Sequence, residues 1–203
     1  MVLAAESVGA VSGCAGTRMV VLPDRLFQTL SSTVTSQGVI ALVRPPAWKI
    51  EDVFRGPAGE QSLVVVLDGL QDPGNAGAIA RAAEAFGATG LMFLKGTASP
   101  FHPKTLRASA GSLFRIPFVS AASFAGPPVQ VYAGMPFTGP ERMAADTDFR
   151  APCAIVIGSE GRGVSAELLA IAEPVAIPTV AVESLNAAVA AAILLYEARK
   201  QRV

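Results

Sequence analysis

The sequence predicts an α/β fold, a mostly parallel sheet with helices on both of its faces. Short apolar segments alternate along the chain with segments of helical spacing, an order typical of parallel sheets. Apolar residues make up 51% of the 203 residues and charged residues 16%, a composition that can form a large buried core. Much of the apolar content is alanine and valine, as expected where helices pack closely on a sheet.

Apolar segments bounded by polar, glycine or proline residues mark the predicted strands. In chain order these are 38–43, 63–67, 91–94, 114–119 (a strand or an extended segment), 129–134, 154–157 and 175–178. Helices are predicted at 22–30, 76–86, 104–111 and 165–171, with a long final helix that follows 183–186 and ends near Gln201. Residues 1 to about 20 carry no pattern that assigns them to an element.

The N-terminal part of the chain is predicted to be a separate domain. Residues 48–60 have the composition of a linker, and Gly56-Pro57-Ala58-Gly59 is its most flexible point. We therefore expect a domain boundary near residue 58, with a first domain over 1–58 and a second over 59–203.

The stretch Leu67 to Gly87 joins the end of a buried strand, a polar turn and a helix. The turn is centred on Asp72-Pro73-Gly74-Asn75, residue types that favour tight turns. Asn75 takes the position of a helix N-cap, a role that alone would explain it. Arg81 lies among alanines further along the helix, where it points back toward the loop or is only an exposed, solubilising residue.

Three polar loops, 68–75, 158–165 and 179–186, each follow a predicted buried strand. In a parallel sheet the loops at the carboxyl ends of the strands share one edge, where open α/β sheets bind their ligands. We therefore expect the three loops to form one ligand site.

Polar residues in the last two loops are candidates for that site. The sequence Gly158-Ser159-Glu160-Gly161-Arg162-Gly163 matches neither a P-loop nor the dinucleotide-binding motif. Glu160 either pairs locally with Arg162 or binds part of a ligand. Ser165 is predicted to cap the helix that follows it. One of Ser184 and Asn186 is predicted to cap the last helix, which leaves the other for the site.

Composition excludes several classes of function. The formal net charge is zero, which argues against a protein that binds nucleic acid by bulk electrostatics alone. The zero net charge does not exclude a local basic surface. The candidates for it are Arg81, Lys95, Lys104, Arg107 and Arg115, with Glu84 as the one acid among them. The chain has no apolar stretch of membrane-spanning length and no signal-peptide pattern, so we expect a cytoplasmic protein without membrane contact.

Metal and covalent chemistry find little support in the sequence. Cys14 and Cys153 are far apart and give no metal-ligand spacing, and Cys153 is predicted to be a small core residue. His102 is predicted to be a solvated loop residue. No nucleophile stands beside a base, so hydrolase, metalloenzyme and covalent mechanisms are weak hypotheses.

The three loops and their flanking residues resemble the SpoU (TrmH-like) branch of the SPOUT RNA methyltransferases. The first motif is Leu67-Asp68 with Asp72 to Arg81, the second is Ile155 to Gly163, and the third is Ile177-Pro178 with Glu183 to Ala190. The resemblance covers about 62–203, and 107–112 resembles the family's Ser-Ala-Gly segment.

The resemblance implies a deep trefoil knot in the C-terminal part, an obligate homodimer and 2′-O-methylation of a ribose in RNA, with rRNA favoured and tRNA as the alternative. It implies S-adenosylmethionine as cofactor and no metal. The implied cofactor-binding residues are Ala133, Gly134, Ile157, Gly158, Gly161, Ile177, Leu185 and Asn186. The implied catalytic residues are Arg81, Asn75, Glu160, Ser184 and Asn186. Arg81 would chiefly orient the ribose hydroxyl, because a free guanidinium is a poor base, or would act as the base in a perturbed site.

The N-terminal part departs from the family pattern. Ser31 to Pro46 resembles the end of a ribosomal-protein-like RNA-binding domain, whose earlier half does not fit in the residues before it. We therefore expect a degenerate or truncated RNA-binding domain over 1–58. A second hypothesis is a knotted dimer that binds RNA or S-adenosylmethionine without turnover, and a nucleotide-dependent dehydrogenase is a more distant one.

Overall fold

The computed structural model describes residues 1–9, 16–31, 33, 35–56, 61–139 and 142–202. These residues form two compact units, Met1–Pro46 and Ala47–Val203. Cys14 and most of the Gly56-Pro57-Ala58-Gly59 stretch lie outside the described residues.

The first unit is a small three-stranded sheet with one α-helix. Its elements are β1 (Val2–Ala5), β2 (Met19–Leu22), α1 (Asp24–Leu30) and β3 (Val39–Ala41). The strand order is β2-β1-β3, with β1 parallel to β2 and antiparallel to β3. The predicted helix and the strand near 38–43 are confirmed, whereas β1 and most of β2 lie where the sequence pattern assigned no element.

The linker prediction for 48–60 is wrong in its first half. Residues Ile50–Phe54 form a helix, α2, and Val53 is fully buried. The Thr89 hydroxyl donates to the Val53 carbonyl oxygen at 2.8 Å, and Gly90 leaves so little room that an added Cβ would lie 2.6 Å from the Val53 Cα. Because α2 packs on the second unit, the division falls after Pro46 and not near residue 58.

The second unit is a seven-stranded sheet in which every pair of neighbouring strands is parallel. Its strands are β4 (Leu63–Asp68), β5 (Gly90–Leu94), β6 (Phe118–Ala121), β7 (Gln130–Met135), β8 (Arg142–Met143), β9 (Cys153–Gly158) and β10 (Glu173–Ala176). Their order across the sheet is β6-β5-β4-β9-β7-β10-β8. The mostly parallel sheet is therefore confirmed.

Among the described residues, four α-helices besides α2 accompany this sheet: α3 (Pro73–Ala85), α4 (Pro103–Ala108), α5 (Ala166–Leu169) and α6 (Ala187–Gln201). Side chains of β4 alternate between two core layers, as the pleat of a strand requires. Val65 and Leu67 pack in one layer with Ile79 of α3 and Leu194 of α6. Val64 and Val66 pack in the other with residues of α2 and α5. Helices thus cover both faces of the sheet.

Two predicted helix starts need correction. The N-cap of α3 is Asp72, whose carboxylate accepts from the Gly74 amide at 2.9 Å, and Asn75 lies in the first turn. Proline is favoured at the first helical position, so Pro73 moves the cap ahead of it. Ser165 is at the N-cap of α5, but its side chain makes no capping hydrogen bond. Its amide donates instead to Asp68 Oδ2 at 2.7 Å.

The end of α6 is fastened to the amino-terminal ends of two central strands. Gln201 accepts from the Phe149 amide and donates to the Thr147 carbonyl, both at 2.9 Å. The Arg202 guanidinium donates to the carbonyl oxygens of Phe149, Gln61, Ser62 and Ala151 and to Cys153 Sγ. We call Gln201 and Arg202 the C-terminal clasp. No helix of the described chain is both long and apolar enough to span a membrane.

Candidate active site

The loops after β7, β9 and β10 enclose a cavity of about 390 Å³, which lies within the size range of small-molecule sites. We call it the first cavity. Because β9, β7 and β10 are adjacent and parallel, the three loops leave the sheet at one edge. Two of them were expected at this site. The loop after β4 does not line the cavity but contributes Asn75 at its border.

Most of the residues expected to bind the cofactor line this cavity. They are Gly134, Ile157, Gly158, Gly161, Ile177 and Leu185. Ala133 does not, because it is fully buried in the core layer on the α2 and α5 side of the sheet. Asn186 does not either, because its side chain caps α6.

Glycine is required at position 158. A Cβ there would collide with the backbone of Gly163, because the loop folds back on itself. Ser159 and Gly163 exchange two backbone hydrogen bonds, at 3.0 and 2.9 Å. The turn between them presents Glu160, Gly161 and Arg162 at the cavity.

Three of the predicted catalytic residues form a continuous chain of hydrogen bonds. Asn186 Nδ2 donates to Asn75 Oδ1 at 3.1 Å, and Asn75 Nδ2 donates to Glu160 Oε1 at 2.8 Å. Asn186 Oδ1 accepts from the amides of Ala188 and Val189, at 2.9 and 3.3 Å. Asn186 is therefore the cap of α6, and the cap fixes the orientation of its amide. This chain connects residues of all three predicted loops.

The remaining two predicted catalytic residues stand apart from this chain. Ser184 lines the cavity. Arg81 is exposed on α3 and does not line it. Among the described residues, Arg81 has no hydrogen-bond or ion-pair partner. The structure therefore leaves its guanidinium available to a ligand without bringing it to the other four residues.

Ion pairs neutralise part of the predicted basic surface. Lys104 donates to the Asp72 carboxylate at 2.7 Å, and this hydrogen bond holds the pKa of Asp72 below its usual value. Arg115 donates to Glu84 at 2.8 Å and lowers the pKa of Glu84 in the same way. Within the described chain Arg81, Lys95 and Arg107 keep unpaired charges.

Phe137 lines the cavity from outside every predicted loop, while Thr179 and Glu183 line it from the predicted loop 179–186 without having been singled out as site residues. Glu183 precedes Ser184 in the third motif, and its position there was the available signal. With Glu160 it gives the cavity two carboxylates, which suit a ligand that carries positive charge. His102 is exposed, as predicted, and its Nδ1 accepts from the Lys104 amide at 3.1 Å at the start of α4.

The SpoU rRNA methylase family model matches residues 62–196, a range that holds all three loops and the hydrogen-bonded chain of Asn186, Asn75 and Glu160. The chain belongs to the SpoU family. The match begins beyond the first unit, so it leaves that unit outside the family's defining region. The resemblance seen in the three motifs is confirmed.

Relatives of this SpoU chain include two that are named as 23S rRNA 2′-O-methyltransferases. A 23S rRNA (uridine(2479)-2′-O)-methyltransferase of Streptomyces viridochromogenes is 36% identical over 195 residues, 89% of this chain and 66% of the relative. The 23S rRNA (guanosine(2553)-2′-O)-methyltransferase RlmP of Bacillus subtilis is 32% identical over 197 residues, 91% of this chain and 73% of the relative. The chain spans only 64% and 66% of the length of two curated relatives.

One solved structure can be aligned with nearly the whole chain. The SpoU methyltransferase AviRb of Streptomyces viridochromogenes, in complex with the cofactor AdoMet, has a TM-score of 0.82 and 29% identity. The match covers 98% of this chain and 81% of that one.

Proposed function

We propose that this SpoU chain transfers a methyl group from S-adenosylmethionine to a ribose 2′-hydroxyl of RNA, with release of S-adenosylhomocysteine and of the hydroxyl proton, and with rRNA favoured over tRNA. The observation that carries the proposal is the hydrogen-bonded chain of Asn186, Asn75 and Glu160 at the border of the first cavity. It joins three loops that are separate in sequence into one polar surface beside a ligand-sized space. The named activities of the Streptomyces and Bacillus relatives support rRNA.

The residues of the first cavity suit S-adenosylmethionine. Gly134, Gly158 and Gly161 bring main chain to the cavity surface, while Ile157, Ile177 and Leu185 provide apolar contact. Glu160 and Glu183 complement the positive charges of the cofactor. When bound, S-adenosylmethionine supplies a methyl group that its sulfonium charge has already activated.

The chain's own residues would bind and orient the acceptor ribose. Asn75 is held from both sides, so its amide is fixed at the border of the cavity. The second carboxylate oxygen of Glu160, Oε2, has no donor among the residues that the structure describes, and this oxygen can accept from a ribose hydroxyl. Ser184 offers a hydroxyl to the same space. A guanidinium keeps its proton in proteins, so Arg81 would act as a donor that orients and polarises the 2′-oxygen.

The proposal includes a homodimer. Ala78 and Ala82 of α3 and Ala188, Val189, Ala192, Ile193 and Tyr196 of α6 line an apolar groove on the surface. Val189 and Tyr196 are 48% and 51% exposed there. Exposed contiguous apolar surface marks interaction sites, and a second copy of the chain would bury it.

The trefoil knot and the RNA-binding role of the first unit belong to the same proposal. Strand β9 lies between β4 and β7, both of which precede it in the chain. A late strand inserted between earlier ones is the sheet order that a knotted SPOUT chain requires. The first unit, with its short mixed sheet, is assigned in this proposal to the ribosomal-protein-like RNA-binding domain.

The decisive measurement uses labelled S-adenosylmethionine with unmodified rRNA and, separately, with tRNA, followed by digestion and analysis of 2′-O-methyl nucleosides. We expect label in rRNA, and loss of at least about a hundredfold in kcat for Arg81→Ala, the usual effect of removing one donor from a transition state. Arg150→Ala is the matched control. Arg150 is an exposed arginine that pairs with Asp148 at 2.9 Å, before the start of β9 and thus at the opposite edge of the sheet.

Each result has a clear meaning. If only tRNA is labelled, the substrate is tRNA and the preference for rRNA is wrong. Cofactor binding without label in either RNA would favour the binding-only hypothesis over an enzyme. Equal rates for Arg81→Ala and the wild-type protein would remove Arg81 from the reaction.

A further inference from the structure

A second cavity, of about 910 Å³, lies at the carboxyl ends of β4, β5, β6 and β9. The turn at Ser159–Gly163 separates it from the first cavity, because Ser159, Arg162 and Gly163 line both. A ligand of the second cavity would therefore lie against the same turn that carries Glu160. The proposed function leaves this second cavity without an occupant.

Hydrogen bonds fix the walls of the second cavity. Asp68 Oδ2 accepts from the Ser165 amide at 2.7 Å and holds the start of α5 against β4. The Thr97 hydroxyl accepts from the Gly69 amide at 3.0 Å and donates to the Leu67 carbonyl at 2.8 Å. These contacts hold the loop after β5 beside the loop after β4. The cavity is therefore built into the fold.

The floor of this cavity is apolar and includes an aromatic ring. Leu94 and Val164 are 6% and 5% exposed and belong to the core layer beneath it. Phe124 lines the cavity and packs edge-to-face on Phe54 at a centroid distance of 6.4 Å. A flat base stacks favourably on such a ring.

The rim of the cavity is polar. Lys95 and Arg162 are exposed, and neither side chain has a partner among the described residues. Two acids also line the cavity. Asp68 is engaged by the Ser165 amide, and Glu167 is exposed at the start of α5. Unpaired cations above an apolar, aromatic floor match one ligand class, a nucleotide with its base on the floor and its phosphate at the rim.

We propose that the second cavity binds a nucleotide of the substrate RNA that flanks the methylated ribose, with the base against Phe124 and the phosphate against Lys95. This inference rests on the proposed function, because the shared turn is what brings the flanking nucleotide beside the acceptor site. The second cavity would select the sequence next to the target, while the first cavity holds the methyl donor.

The direct test is a titration of the ¹⁵N-labelled full chain, saturated with S-adenosylhomocysteine, with uridine and guanosine 5′-monophosphates. We expect the amide signals of Gly96 and Ser123, which both line the cavity, to shift. The variant Ser123→Trp, which fills the cavity from an exposed position, should abolish the shift of Gly96. Unchanged Gly96 and Ser123 signals at saturating nucleotide would overturn the proposal. Failure of S-adenosylhomocysteine to bind would instead count against the proposed function.

The second test measures methylation of the RNA that the labelling experiment identifies. Lys95→Ala should raise the KM for RNA about tenfold and leave kcat and the KM for S-adenosylmethionine unchanged. It should also reduce the slope of log KM against log salt by about 0.7, the loss of one phosphate contact in a single strand. Arg150→Ala removes the same charge from the opposite edge of the sheet and should do neither. Equal RNA KM and salt slope for Lys95→Ala and the wild type would refute the phosphate contact.

Discussion

Thr89 and Thr105 are both buried threonines of the second unit, and their hydroxyls have opposite surroundings. Thr89 Oγ1 donates its one proton to the Val53 carbonyl oxygen at 2.8 Å, lies 3.2 Å from the Leu63 carbonyl oxygen and accepts from the Leu63 amide at 3.3 Å. Thr105 Oγ1 is buried and has no hydrogen-bond partner in the described part of the chain. A buried hydroxyl is destabilising when it is unpaired and stabilising when it is fully paired.

Replacing each threonine by valine should therefore change stability in opposite directions. Thr105→Val removes an unpaired hydroxyl and should raise the free energy of unfolding by about 1 kcal/mol. Thr89→Val leaves buried backbone groups unpaired and should lower it by roughly 2 kcal/mol. Denaturant titration of the two variants measures both values, and effects of equal sign would contradict this account of the hydroxyls.

At the residue scale the sequence predicted which polar residues meet at the site, but it did not predict the hydrogen-bond partners of each one. Asn75, Glu160 and Asn186 were all expected at the site, but Asn75 was assigned as the helix cap. Local pattern could not choose between Asp72 and Asn75, because both residue types cap helices. The hydrogen bonds from Asn75 to residues 85 and 111 positions away depend on the tertiary fold.

At the scale of elements, Gly77 of α3 lies directly against α4. A Cβ on Gly77 would collide with the Thr105 carbonyl oxygen and lie 2.6 Å from Ala108 Cβ and 2.9 Å from the Ser109 amide nitrogen. The helix that carries Arg81 is thereby fixed against the segment that resembles the family's Ser-Ala-Gly motif. A small residue at this crossing is a packing requirement.

Gly77→Ala should lower the free energy of unfolding by about 2 kcal/mol, the usual effect of overpacking. It should also shift Arg81, which lies one turn beyond Gly77 on α3, from its present position. Gly74→Ala is the matched control on the same helix. Its added Cβ meets the flexible end of Lys104 at 3.1 Å, so it should be neutral or slightly stabilising because alanine favours helix. Thermal unfolding of both variants checks the difference, and similar midpoints would exclude the close crossing.

The elements that the sequence predicted well are the long apolar strands. β4, β5, β7 and β9 are buried on both faces, so each appears as a continuous apolar segment. The short α2 and the two-residue β8 were missed because neither is long enough to carry a period. The second cavity was not predicted either, since it arises from loops that the sheet order brings together.

The whole molecule should lose stability in acid. The hydrogen bond from Lys104 lowers the pKa of Asp72, that from Arg115 lowers the pKa of Glu84, and those from Arg150 lower the pKa of Asp148 to about 2. The unfolded chain therefore takes up protons first as the pH falls. The contribution of these carboxylates is complete above about pH 5 and is lost between there and about pH 2.

The melting temperature should accordingly be nearly constant from pH 7 to pH 5 and fall steadily below pH 4. Asp148→Asn should flatten the fall at its acidic end, because it removes the group that titrates last. At the alkaline end, burial raises the pKa of the Cys153 thiol to about 11. The unfolded chain therefore loses this proton first, and the folded state loses stability as the pH rises from about 9 to 11. A melting temperature that rises below pH 4 would contradict these directions.

The C-terminal clasp should govern opening of the whole second unit. Arg202→Ala leaves the carbonyl oxygens of Gln61, Phe149 and Ala151 without the guanidinium and should lower the free energy of unfolding by roughly 3 kcal/mol. Arg199→Ala, three residues earlier and exposed, is the matched control.

Cys153 reports on this opening, because its buried thiol reacts only when the structure opens. With Cys14 replaced by serine, alkylation of Cys153 should be much faster in Arg202→Ala than in Arg199→Ala. Equal alkylation rates would show that the clasp does not limit opening.

The clasp also has a consequence for biosynthesis. Its partners at Gln61, Ser62 and Ala151 leave the ribosome well before Arg202 is added to the nascent chain. Until that moment the carbonyl oxygens of Gln61, Phe149 and Ala151 lack the guanidinium that pairs them, and the less stable domain is more open to chaperones and to aggregation. The clasp can therefore form only after Arg202 has left the ribosome, so a chain stalled shortly before that point would present a second unit without its clasp.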